Sequence, residues 1–203
     1  MNAENQEWKN LFDIDVLKDS ILMIALYITV YELLEDTVIA KPKDFFTIVD
    51  WDEEAQAEYR KHVLSLYDPN AIPGIKKQRK DIISSLLWFK KLNAIDDGDI
   101  QVFTDSKQLR NSLTHQMFQA IGEGGSKYVG QFCKMYDLFC KIERWWIMEV
   151  EIPISGDYDP DKIDEMNVMS GHMVILHCIL DMLEKDSNAK YKDICDAIGV
   201  SVK

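Results

Sequence analysis

Signatures of several familiar chemistries are missing from this chain. It has no glycine-rich phosphate loop, no Walker-type lysine and no Gly-x-Ser-x-Gly elbow. P-loop nucleotide hydrolysis and elbow-type serine hydrolysis therefore have no carrier. The four cysteines, Cys133, Cys140, Cys178 and Cys195, contain no Cys-x-x-Cys pair and no zinc-type Cys/His spacing. The expectation is reduced, mostly buried thiols, with no metal and no cofactor. Asp157-Tyr158-Asp159-Pro160-Asp161 begins like a calcium loop, but Lys162 stands where glycine is needed and Val168 where glutamate is needed. It reads instead as a turn before a helix. Long apolar runs are also missing: the best, Ile21 to Tyr31, is far shorter than the roughly 20 residues that cross a bilayer. Met1 to Glu7 is polar and acidic, without the charged-then-apolar pattern of a signal peptide. These features predict a cytoplasmic protein with no membrane partner.

Positive charge is scarce. The chain carries 23 basic against 35 acidic residues, a net charge of −12. A protein that coats nucleic acid indiscriminately is normally basic, so that class is excluded. A local basic groove, or a basic protein partner, is not. Proline and glycine are few, 5 and 9 in 203 residues, so long elements meet few breaks.

What is present is apolar residues at helical spacing, in a chain that is 47% hydrophobic and of a length that suits one domain. Val16 to Ile39 is the strongest pattern: Leu17, Ile21, Ile24, Ile28, Tyr31 and Leu34 share a face while Leu22, Leu26 and Leu33 fill another. A helix apolar nearly all round belongs in the centre, and Lys41-Pro42 is expected to end it. Residues 41–74 read as irregular, with a short extended piece near Phe45 to Val49 and a short helix between Asp52 and Leu66. A second helix is expected from Ile75 to Leu92. A third starts near Thr104-Asp105-Ser106 and stops at Gly122-Glu123-Gly124-Gly125, with Leu109, Leu113, Met117 and Ala120 as its core stripe. A fourth runs from Ser126 to about Met148, and Glu149 to Ile154 alternates like a short extended stretch. A fifth spans Asp161 to Glu184 and a last short one Tyr191 to Ile198. The predicted fold class is all-α: a bundle of four to five long helices with irregular insertions, its core over about 16–185.

The third helix carries the most chemistry, in Arg110-Asn111-Ser112-Leu113-Thr114-His115. A guanidinium stays charged and can hold a phosphate with two N–H groups at once. An imidazole moves protons near neutral pH. Asn111 and His115 lie four apart and stack on one side, away from the core stripe. Phe118 joins them, with Arg110 and Thr114 on the flank. Phe118 and Thr114 are therefore candidate interface residues, and a second copy of this helix is one candidate partner.

The segment resembles the signature of HEPN domains, the higher eukaryotes and prokaryotes nucleotide-binding superfamily: Arg, a polar residue that is often Asn, Asp or His, then His after four to six intervening residues. The match is to the shortest form. The resemblance implies a helical bundle, commonly a homodimer, whose motif helices meet in a shared cleft. Many such domains are metal-independent endoribonucleases of toxin–antitoxin, abortive-infection or CRISPR-associated systems; others only bind nucleotides, RNA or proteins. Carried over, Arg110 would hold the phosphate, His115 would act as acid or base, and Asn111 would orient one of them. The implied partners are RNA, a second copy and an antitoxin or other regulatory protein. The alternative is a non-catalytic binding or dimerisation module.

Lys76, Lys77, Arg79 and Lys80 open the only basic stretch, 75–91, which holds six bases and one acid. It is the candidate track for an RNA backbone; a solvated helix face is the plainer reading. His172, His177 and the Trp145-Trp146 pair are expected to serve core or interface packing.

Overall fold

A computed structural model of the chain describes residues 3–47, 52–156 and 163–186. The described residues form helices and no strand. The architecture is an all-α bundle built around one long helix.

That helix, α2 (Ile14–Phe46), follows α1 (Ala3–Phe12), a helix the sequence reading had not anticipated. Asp13 caps α2, its carboxylate accepting from the backbone N–H of Asp15 at 3.0 Å and Val16 at 3.2 Å. Met23, Ile24, Leu26, Tyr27, Val30, Tyr31, Leu34 and Val38 are all buried, so several sides of α2 are covered. It packs against α1, α3 (Glu53–His62), α4 (Lys80–Lys91), α5 (Asp97–His115), α6 (Met117–Glu123) and α7 (Val129–Trp146). The helix does not end at Lys41-Pro42 but continues to Phe46 through the buried Pro42. The proline removes one hydrogen bond near the end of the helix, a local loss. Against it stands anchoring beyond the proline. Phe46 stacks on His62 with centroids 6.0 Å apart, and Phe45 meets Trp88 edge-on at 5.5 Å. The extended piece expected near Phe45 is therefore helical at its start, while Ile48 and Val49 lie outside the described residues.

The second expected helix is shorter than its pattern. Ile72 and Ile75 are buried in the loop before it, and α4 starts at Lys80. Gly74, at φ +87°, lies so close to α5 that a Cβ there would stand 2.9 Å from Thr104 Cγ2. The apolar side chains that resembled a helix start instead pin this turn to the core. The third helix starts earlier than expected. Asp96 accepts from the N–H of Asp99 at 2.9 Å, and the Asp99 side chain returns the bond to the N–H of Asp96 at 2.9 Å. This reciprocal cap turns an apparent acidic loop into the first turn of α5. Thr104 and Ser106, where the helix was expected to start, are buried in its interior.

The same helix also ends earlier. It breaks at Gln116, whose backbone leaves the helical region (φ −124°, ψ 34°), and resumes as α6. The break shifts the register: Leu113 and Ala120 are buried as expected, Leu109 is half-buried, and Met117 is 45% exposed instead of in the core.

Helical structure also replaces the expected extended stretch after Met148. A π-helical turn over Ile147–Glu151 leads into α8 (Ile152–Ser155). Pro153 sits in the first turn of α8, where its missing N–H is tolerated. The last described helix is α9 (Gly171–Asp186), preceded by a 3-10 turn at Glu165–Asn167. The calcium-like segment at 157–161 and the expected helix at Tyr191 to Ile198 lie outside the described residues, as does Cys195. Cys140 is buried, Cys133 half-buried and Cys178 exposed, all as free thiols. The tryptophan pair packs: Trp145 meets Trp88 at 6.2 Å and Phe89 at 5.8 Å, and Trp146 is buried. His177 lies against the Tyr136 ring, whereas His172 is exposed and not in the core. No described helix is long and apolar enough to cross a membrane.

Candidate functional site

The last two turns of α5 carry the motif. Leu113 is buried toward the core, while Asn111, Thr114 and His115 are exposed and Arg110 is half-buried. Just past the break, Met117 and Phe118 are also exposed, Phe118 at 68%. Arg110, Asn111, Thr114 and His115 are therefore on or near the surface, beside two solvent-facing apolar side chains.

The Arg110 guanidinium is firmly held. Its Nε donates to Glu32 Oε1 at 2.8 Å, and Nη2 donates to the same oxygen. Nη1 donates to Asn111 Oδ1 at 3.3 Å. The guanidinium carbon lies 5.9 Å from the centre of the Tyr31 ring. Thr114 donates its hydroxyl to the Arg110 carbonyl at 2.8 Å, a bond within the helix. Of the five N–H groups of an arginine, these contacts take three. One N–H on each terminal nitrogen is left.

One turn along, α2 and α5 meet again through Glu35. This carboxylate accepts from Arg79 at 2.8 Å, from the Tyr31 hydroxyl at 2.5 Å and from Lys107 at 3.4 Å. Burial opposes its charge, but the Tyr31 hydroxyl, Arg79 and Lys107 outweigh burial and hold the carboxyl below the ordinary glutamate range. Desolvation by burial drives the Tyr31 hydroxyl upward, with Glu35 adding to the effect, so it stays protonated as a donor.

The His115 imidazole makes no hydrogen bond or ion pair with the described residues. Nor does it meet Arg110. The two lie five residues apart, about 7.5 Å along the helix axis and roughly 140° around it. A polar hollow of about 200 Å³ opens beside the break, lined among others by Ser112, Gln116, Gln119 and Glu123, but neither Arg110 nor His115 lines it.

The basic stretch is dispersed. Lys76, Lys77 and Lys80 are exposed, but only Lys80 lies on α4. Arg79 is tied to Glu35 and stands 3.7 Å from Asp81. Lys80 lies over the Tyr67 ring, its Nζ 5.4 Å from the centre. Among the described residues no group of three His, Cys, Asp or Glu side chains is placed to hold a metal ion.

No protein-family model, curated protein or solved structure matches the chain. The chemistry must be read from its own side chains. Those that the sequence reading missed are Tyr31, Glu32, Glu35 and Lys107. A signal for the two glutamates was present: they are the charges that interrupt the apolar run of α2. Their partners, more than 40 residues away, were not visible in it.

Proposed function

We propose that the chain is a HEPN-like endoribonuclease or toxin-like effector that acts on RNA through the exposed end of α5. The observation that carries this reading is a surface-placed Arg110-Asn111-His115 set in which the guanidinium is oriented yet keeps two donors, while the imidazole is unengaged. In the reaction, His115 accepts the proton of a ribose 2′-hydroxyl as the 2′-oxygen attacks the adjacent phosphorus. The bond to the 5′-oxygen breaks, that oxygen takes up a proton, and a 2′,3′-cyclic phosphate remains. Arg110 compensates the charge that builds on the non-bridging oxygens. Because the two side chains point apart on one helix, the site is completed when a second copy brings its own motif alongside. Phe118, Met117 and Thr114 lie where such a pair would meet.

The test is cleavage of a mixed RNA pool in EDTA by the wild type, Arg110→Ala and His115→Ala. The wild type is expected to leave cyclic-phosphate ends, and each variant to lose at least about 100-fold in rate, the usual scale for removing a proton-transfer group (His115) or a group that stabilises the transition-state charge (Arg110). Cleavage by His115→Ala at the wild-type rate would sink the mechanism.

A second reading has its own support. Glu32 already compensates the Arg110 charge, and the neighbouring exposed feature is the apolar Met117–Phe118 pair. Both suit a non-catalytic association module. Such a module cleaves nothing, does not slow cells that express it alone, and loses its self-association in Phe118→Ser as read by light scattering.

A further inference from the structure

The α2 side chains behind Arg110 are more than a seam between helices. A half-exposed ion pair contributes little to stability, which gives little structural reason for the convergence seen here. Glu32 receives two N–H groups of one guanidinium on a single oxygen, the Tyr31 ring lies alongside, and Asn111 takes a third N–H. Tyr31 is 2% exposed and its hydroxyl is bonded to Glu35, which Arg79 and Lys107 also hold. The ring is therefore fixed from both ends, and the guanidinium is fixed against it. A free arginine side chain loses much rotational freedom when it binds a phosphate. Here that freedom is already removed, and one donor remains on each terminal nitrogen.

We infer that Glu32, backed by Tyr31, is a positioning residue for Arg110, aiming its two free N–H groups at an RNA phosphodiester. This rests on the RNA-cleaving reading above. Glu32 touches no substrate and acts only through Arg110. The needed feature is its accepting oxygen, which glutamine also supplies, so Glu32→Gln keeps the clamp while Glu32→Ala releases it. The alternative is a latch, in which Glu32 blocks phosphate from Arg110. It predicts the opposite sign: either substitution would speed cleavage.

The experiment measures kcat and KM for RNA cleavage in EDTA by the wild type, Glu32→Ala, Glu32→Gln and Asp36→Ala. Asp36 is an exposed α2 carboxylate outside the clamp and controls for charge alone. Thermal unfolding and the Arg110 Nε–H resonance are followed in parallel. Glu32→Ala is expected to lose about 10–100-fold in kcat with KM within about threefold, since misplacing a reacting group by an ångström costs on that scale. Glu32→Gln is expected within about threefold of the wild type, and Asp36→Ala unchanged. The Nε–H should exchange slowly in the wild type and Glu32→Gln, and quickly in Glu32→Ala. Wild-type cleavage with Glu32→Ala equally fast or faster, or with both Glu32 variants falling together, overturns the clamp and leaves the RNA-cleaving reading intact. An equal loss in Asp36→Ala also overturns it, because the effect is then the general field. Absence of cleavage by the wild type overturns the RNA-cleaving reading, and the clamp's role in it falls too. A variant whose unfolding midpoint drops below the assay temperature is replaced by the same comparison at lower temperature.

Discussion

Glu35 and His177 each tie the stability of this molecule to pH, and these two act in the same direction. Glu35 is held below the ordinary glutamate value of 4.5 because its three donors outweigh burial. Its contribution is fully present above that value and is lost as pH falls through its lower folded value. His177 lies between α7 and α9 beside Tyr136. Burial pushes its imidazole below the ordinary 6.5, Asp181 opposes the shift and Arg144 adds to it. A histidine kept neutral in the fold takes up its proton more readily when unfolded. Stability therefore falls as pH drops below 6.5 toward the folded value. The unfolding midpoint should be flat near pH 7.5, fall in a first step below 6.5, and fall again below 4.5. His177→Phe should remove the first step and Glu35→Gln should weaken the second. A wild-type curve without the first step would show that the imidazole is not buried as described. At this same scale the motif itself was legible. Arg110, Asn111 and His115 are exposed or half-exposed where helical spacing put them, because a helix wheel depends only on local geometry.

Helix ends were the least legible elements, and the reasons are specific. The acidic run at Asp96-Asp97-Gly98-Asp99 has the composition of a loop. It becomes a helix start because two of its carboxylates reciprocate across one turn. Asp96→Ala should lower the urea unfolding midpoint; an unchanged midpoint would mean that the cap contributes nothing. The π-helical turn Ile147–Glu151 before Pro153 is likewise a feature that alternating hydrophobicity does not record. Packing between elements is close where the 3-10 turn Gly125–Tyr128 crosses α2. A Cβ on Gly125 would stand 3.0 Å from Ser20 Cα, 3.0 Å from Met23 Cβ and 3.1 Å from the Asp19 carbonyl oxygen. The Gly125 N–H also donates to Ser20 Oγ at 2.9 Å. Backbone atoms cannot move aside as a flexible side chain can. Gly125→Ala should destabilise by about 1–3 kcal/mol, the scale of overpacking. A neutral effect would show that the turn and α2 can separate without loss.

For the whole molecule, the strongest inference came from the length and the double-sided apolar pattern of one segment. That pattern put α2 at the centre, and the structure surrounds it with helices. The all-α class was also legible, because period-3.6 hydrophobicity and the near absence of strand patterning are properties of the chain alone. The basic stretch was legible as composition but not as a surface. Its lysines divide among a loop, the start of α4 and the end of α4, and its arginine pairs with Glu35. Sequence by itself thus determined the helical class, the central helix and the surface placement of the motif, all of which rest on contacts within a few residues. Tertiary structure alone decided what stands behind the motif. The charges of Glu32 and Glu35 meet Arg110, Lys107 and Arg79 only when α2, α5 and the loop before α4 pack together. The partner of a charge on a helix is chosen by the distance between elements in space, and separation along the chain does not encode that distance.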